Sequence, residues 1–390
     1  MTEATQHEGD DLVAGIFAAA GYEPGTPPKR EFQPWHRPRK QFVRREQWTP
    51  LLKKLYDGRP DADPIRYLGL PGVDLIDLRY LYDEVCRVVE RPLRFLGFNT
   101  EAQPGSTAQI ELNLSLDEVR HLPHVDPSSD VIHDDFRRLA APTSIAWNRA
   151  VRLGPFDVVN VDLCDGVASD PPYLEGSMYA ALARLAALQA RNHQPWLLLI
   201  TTRIARGLFD RAAETSLVEL FSANVEQCGE SFVIACAELL KGDPSTIDPS
   251  SCSEPDYLCL MIVALGKWLS ALVQAHGPHE VELASTQGYR VEPGAPCEDL
   301  VSLAMRFTPV IAASANPLAP QPPAVIDECE TAVGIAKRAS ARKNLDDILA
   351  RECDLHEALI LETETLLRAA RYDVAEYRPW LHSADPNTQP

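Results

Sequence analysis

Five short apolar runs separated by helix-patterned segments constrain this chain more than any other feature. The clearest is 156–163 (FDVVNVDL), rich in β-branched residues and followed by a turn; the others are 65–70, 93–98, 130–133 and 196–202. Between the first two, Leu75, Leu78, Leu81, Tyr82 and Val85 share one face of a helix expected over 74–90. Further helices are expected over 110–121, 143–151 and 178–192. A strand that is apolar on both faces must be covered on both, and helical crossovers between such strands give parallel pairing. The alternation therefore predicts a doubly wound, mostly parallel α/β sheet.

Beyond residue 205 the pattern changes. Residues 206–275 read as helical with a polar interruption at 242–255, and 280–291 and 300–310 read as an antiparallel hairpin. Residues 317–323 (PLAPQPP) form a linker, and 326–371 suits two charged helices; near the start, 11–21 suits a short helix closed by Gly21. The expected organisation is an N-terminal helix and basic-aromatic arm (1–60), a first part of the α/β core (61–204), a helical insert (205–277), a terminal hairpin of the core (278–316) and C-terminal helices (324–375).

Charge is uneven. The net charge is −19 over 390 residues, yet 29–54 carries nine basic residues against Glu31 and Glu46. There Trp35, Phe42 and Trp48 interleave with Arg37, Arg39, Lys40, Arg44 and Arg45. Aromatic rings and cations in alternation suit base stacking with phosphate contact, so RNA or DNA is one expected partner of this arm. The other reading is an arm that clamps the protein's own acidic body or an acidic partner. The C-terminal helices offer a surface for a protein partner. No run approaches the roughly 18 consecutive apolar residues of a membrane span, the longest being 258–265. Nine cysteines without a CxxC pair give neither a zinc signature nor a disulfide framework. With an acidic, polar N-terminus, a reduced cytoplasmic protein is expected. His121, His124 and His133 with Asp126, Asp134 and Asp135 match no metal spacing, so no metal is expected. No G-x-S-x-G elbow and no P-loop occurs.

Four segments carry the chemistry: RYLGLPG (66–72), LRFLGFNT (93–100), VIHDDFRRL (131–139) and FDVVNVDLCDGV (156–167). In this order, with the hairpin behind them, they resemble the class I S-adenosylmethionine-dependent methyltransferases. The seven-stranded sheet of that family ends in an antiparallel hairpin, whereas a nicotinamide-binding Rossmann sheet is parallel throughout. The resemblance spans about 250 residues and implies S-adenosylmethionine as cofactor. It implies that Gly69 and Gly72 let the backbone approach the cofactor, that Asn99 or Glu101 meets the ribose, and that Asp135 meets the adenine with Phe136 covering the ring; Asp134 is the other acid. Asp162, Cys164 and Asp165 follow the fourth strand, where the family places substrate-facing residues.

The departures are specific. Tyr67 stands in place of an acid, Pro71 in place of a glycine and Asn99 in place of a carboxylate; Leu163 and Cys164 stand where amino-nitrogen methyltransferases have prolines. Two functions follow. One is a methyltransferase acting on nucleic acid; the other is an inactive methyltransferase-like scaffold or nucleotide-sensing subunit of a multi-protein bacterial system such as phage defence.

Overall fold

The computed structural model describes residues 29, 31–57, 59, 63–163, 165–292, 294–310 and 326–384. The expected helix at 11–21 and the linker at 317–323 lie outside them. The apolar runs form β1 (Ile65–Gly69), β2 (Leu93–Phe98), β3 (Asp130–Ile132), β4 (Val158–Asp162) and β5 (Trp196–Arg203). The hairpin is β6 (His279–Tyr289) and β7 (Leu300–Pro309). One sheet results, in the order β3-β2-β1-β4-β5-β7-β6, with a two-residue strand β8 (Lys343–Asn344) beyond β6. Strands β1 to β5 pair in parallel, and β7 runs antiparallel to both β5 and β6. The expected seven strands are thus eight. Lys343 and Asn344 pair through the backbone alone at an edge, so no apolar run announces them.

Alternate residues of the strands point into two cores. Leu68, Val159, Val161, Leu198, Leu303 and Met305 face one, and Ile65, Tyr67, Phe95, Val158, Leu197 and Leu199 face the other. The crossover helices start where the sequence places a cap. Ser106, Ser144 and Ser177 each accept a backbone N–H from the first turn, opening Thr107–Arg120, Ile145–Leu153 and Met178–Gln189. The helix expected over 74–90 is only Ile76–Leu81, continued by a π-helical turn over Tyr82–Cys86.

The expected helical insert packs as a cover. Its helical segments, Arg211–Ala237 (broken by a kink at Gly229) and Glu254–Gln274, bury their apolar residues in the same core as Leu198 and Leu303. Glu254–Gln274 is long and apolar enough to cross a membrane by length and composition, but nearly all of it is buried in the protein. Glu328–Ser340 packs against this layer, and a disulfide joins Cys228 to Cys329 across 101 residues. The cysteine spacing shows no such pair, because the two meet only once distant helices pack. Downstream, Leu345–Arg351, Cys353–Ala369 and Tyr377–Ala384 exceed the two expected helices. A third, smaller core joins Phe32 to Tyr80, Leu367, Tyr372 and Tyr377, tying the N-terminal arm to the C-terminal segment.

Candidate functional site

The loops that follow β1, β2, β3 and β4 open at one edge of the sheet and enclose a cavity of ≈ 570 Å³. Beside β1 the chain winds outward in both directions, through β2 on one side and β4 on the other. Open α/β sheets hold ligands outside the carboxyl ends of strands at such a switch point, and the volume suits a small molecule. Gly72, Asn99, Glu101, Asp135, Phe136, Asp162 and Asp165 all line it, one loop contributing after each of four strands.

The turn between β6 and β7 adds Arg290, Val291 and Glu292 to the wall, and another part of it is the basic-aromatic arm. Its helix begins with Pro38 at the first position, and Phe42, Val43, Trp48 and Leu52 pack into the core on one face of the sheet. That packing carries the cations inward. Lys40 Nζ lies 2.7 Å from Asp162 Oδ1, with the two side chains 3% and 18% exposed. Lys40 also lies 3.5 Å from Thr201 Oγ1 and sits 4.5 Å from the centre of the Trp48 ring. Arg44 pairs with Asp77 at 2.7 Å and donates to the Trp35 carbonyl at 3.3 Å. Arg39 pairs with Asp346 and Arg45 with Glu362, while Arg37 stacks over Trp380. The interleaved rings and cations therefore face the chain's own body: Phe42 and Trp48 are buried, and half-buried Trp35 lines the cavity.

The two glycines of the first turn do different work. A Cβ on Gly69 would lie 2.6 Å from the hydroxyl of Tyr67 on the same strand. Burial raises the Tyr67 phenol far above its usual range, and its oxygen accepts from Asn160 Nδ2 at 3.0 Å. Gly69 thus makes room for Tyr67, and the cavity wall begins one residue later, at Leu70. Gly72 is in the wall, and a Cβ there would lie 3.5 Å from Trp35 Nε1. That indole N–H is buried without a hydrogen-bond partner among the described residues.

Asn99 is buried and engaged. Its Nδ2 donates to the Pro71 carbonyl at 2.9 Å, and its Oδ1 accepts from the amides of Glu101 and Ala102. It ties the turn after β1 to the loop after β2, which leaves exposed Glu101 as the acid of that loop. Asp135 caps the 3-10 helix Phe136–Ala140 and pairs with Arg137 at 2.6 Å. Burial pushes its carboxyl up, but the Arg137 bonds outweigh this and hold it below the ordinary value. Phe136 is buried edge-on against Phe98. Asp165 is exposed at the rim, and Cys164 lies outside the described residues.

Sequence reasoning missed the pairing of Lys40 with Asp162, since nothing in the local pattern separates Lys40 from its basic neighbours. It also missed a buried cluster behind the turn. His36 Nε2 is 2.8 Å from Asp74 Oδ2, which also accepts from the Tyr372 hydroxyl at 3.1 Å. Among the described residues no group of three or more His, Cys, Asp or Glu is placed to hold a metal.

Strand order, the antiparallel β7 and a cavity at the switch point define a doubly wound, mostly parallel α/β fold whose sheet ends in an antiparallel hairpin. The chain belongs to the PP_RS20740-like family, whose model matches residues 29–382. No curated protein matches it. Among solved structures it is similar to a protein from Vibrio vulnificus YJ016 described as 'a modification subunit of a putative type I restriction enzyme'. There the identity is 10% and the TM-score 0.28, covering 76% of this chain and 47% of the other. It is also similar to the DszA carbon methyltransferase, at 13% identity and a TM-score of 0.30, covering 67% of this chain and 54% of that one. The chain spans about half the length of each.

Proposed function

We propose that the chain is an S-adenosylmethionine-dependent methyltransferase whose cofactor binds in the cavity over β1 to β4. The observation that carries this is the convergence of Gly72, Glu101, Asp135, Phe136 and Asp162 on one cavity from four loops. The cavity also suits the group chemically. Phe98, Phe136 and Leu163 give apolar wall for a purine, Glu101 is a carboxylate acceptor for a ribose diol, and Asp134 or Asp135 can accept from an exocyclic amine. The buried N–H of Trp35 beside Gly72, without a hydrogen-bond partner among the described residues, is a donor that a ligand carboxylate would satisfy. When bound, the cofactor supplies an activated methyl group on a sulfonium centre. The protein's part is to hold that centre and the acceptor in line and to exclude water, which demands positioning more than particular residues.

The engaged amide of Asn99 favours a second reading, in which the cavity binds a nucleotide-like ligand as a sensor or scaffold without turnover. Nucleic acid stays among the proposed acceptors. Its contact through the arm is disfavoured because Arg39, Lys40, Arg44 and Arg45 already face Asp346, Asp162, Asp77 and Glu362.

Ultraviolet cross-linking of methyl-labelled S-adenosylmethionine, followed by peptide mapping, tests the placement. Label is expected in peptides holding 70–72, 99–101 or 134–136. Label confined to other segments, or none, would overturn it.

A further inference from the structure

We infer that the acceptor of this site is a hydroxyl group, held between Lys40 and Asp162; the inference rests on the methyltransferase reading above. The observation is a donor and an acceptor side by side in the cavity wall. Lys40 Nζ is 2.7 Å from Asp162 Oδ1, and both residues line the cavity at the carboxyl end of β4. The ammonium is held there by more than its partner. Thr201 Oγ1 is 3.5 Å away, the Trp48 ring lies 4.5 Å off, and the side chain is almost wholly buried.

A group that enters this corner must satisfy both members. A hydroxyl can donate to a carboxylate and accept from an ammonium at once. A protonated amine can only donate, and Lys40 would repel it. A conjugated exocyclic amine also donates, but its delocalised lone pair gives Lys40 nothing to bond. A carbon acceptor meets neither. Lys40 thus separates this corner from a bare carboxylate, which would welcome an amine.

The step balances as follows. The hydroxyl oxygen forms the O–CH3 bond as the sulfonium carbon–sulfur bond breaks and its electron pair stays on sulfur. The hydroxyl proton passes to Asp162 through Oδ2, since Oδ1 faces Lys40. A Lys40 N–H bonds the acceptor oxygen and stabilises the negative charge that grows on it as the proton leaves.

The test uses the full-length protein, methyl-labelled S-adenosylmethionine, and RNA, DNA and protein pools from cells lacking this chain. The labelled bond is then identified by mass spectrometry after hydrolysis. The expected product is an alkali-stable O-methyl group; an N-methyl, C-methyl or alkali-labile ester product would overturn the inference. Lys40→Met is expected to lower transfer by about 10²–10³-fold, the usual loss for one donor to a developing oxyanion. Its calorimetric affinity for S-adenosylhomocysteine should stay unchanged, and Lys40→Arg should recover part of the rate. Transfer by Lys40→Met at the parent rate would sink the role of Lys40, and the product bond on the parent protein decides the matter should that variant misfold. Binding of S-adenosylhomocysteine with no label in any hydroxyl also counts against the inference. Failure to bind S-adenosylhomocysteine at all would instead bring down the underlying reading.

Discussion

His36 Nε2 donates to Asp74 Oδ2 across 2.8 Å in a fully buried contact that fastens the N-terminal arm to the turn after β1. The donor is fixed because the Gln33 amide occupies Nδ1 at 3.0 Å, leaving the ring proton on Nε2. Tyr372 closes the cluster from the C-terminal segment, and the Tyr377 hydroxyl donates to the His36 carbonyl. Removing one member of such a buried set strands the rest. Asp74→Ala leaves the His36 N–H and the Tyr372 hydroxyl without their acceptor, so it should lower stability in urea by about 1–3 kcal/mol for each; a total loss under about 1 kcal/mol would show that the cluster does not anchor the arm.

The same carboxylate sets an acid limit. Burial raises the Asp74 carboxyl, but the hydrogen bond from His36, with the charge of Lys29 and the Ile76 amide, outweighs it and holds the group well below its usual range. A folded-state value below the unfolded one means its stabilisation is complete above the unfolded value of about 3.9. That stabilisation is lost as pH falls from there toward the folded value. Melting temperature should therefore drop below about pH 4, and Asp74→Asn should flatten that drop. An unchanged acid slope in the variant would contradict the assignment.

Gly69 and Glu101 should separate fold from binding. A methyl on Gly69 meets the Tyr67 ring, so Gly69→Ala should destabilise by about 1–3 kcal/mol. Glu101 is exposed at the cavity, so Glu101→Ala should leave the melting temperature unchanged. Loss of a charge-assisted bond to the ribose should weaken S-adenosylhomocysteine binding by about tenfold or more. Equal affinity in Glu101→Ala would remove that residue from the site.

The disulfide supplies a further check. Cys228–Cys329 closes a loop of 101 residues between helices that cover one face of the sheet. Cys329→Ser, or reduction of the parent protein, should lower stability by about 2–4 kcal/mol. If reductant leaves the urea midpoint unmoved, the bond does not form in solution.

The sheet was legible because β1, β2, β4 and β5 are largely apolar on both faces and are separated by helix-patterned segments, which together suit a doubly covered parallel sheet. The four site segments could be placed for the same reason: each follows a strand whose end the pattern marks. What could not be read depends on contacts between distant residues. Lys40 looked like its basic neighbours until Phe42 and Trp48 packed and turned it onto Asp162, 122 positions away (162 − 40). Asn99 matched a family position, yet its amide is held by Pro71, Glu101 and Ala102. Gly69 matched a cofactor turn, but Tyr67 fills the space beside it. Local pattern fixes where a loop lies; tertiary packing decides which way its side chains turn.

Calorimetric titration of the purified protein with S-adenosylmethionine and S-adenosylhomocysteine tests the central claim most directly. The account predicts micromolar binding of both, weakened by Glu101→Ala. Absence of heat at millimolar ligand would contradict it, leaving the fold without the cofactor.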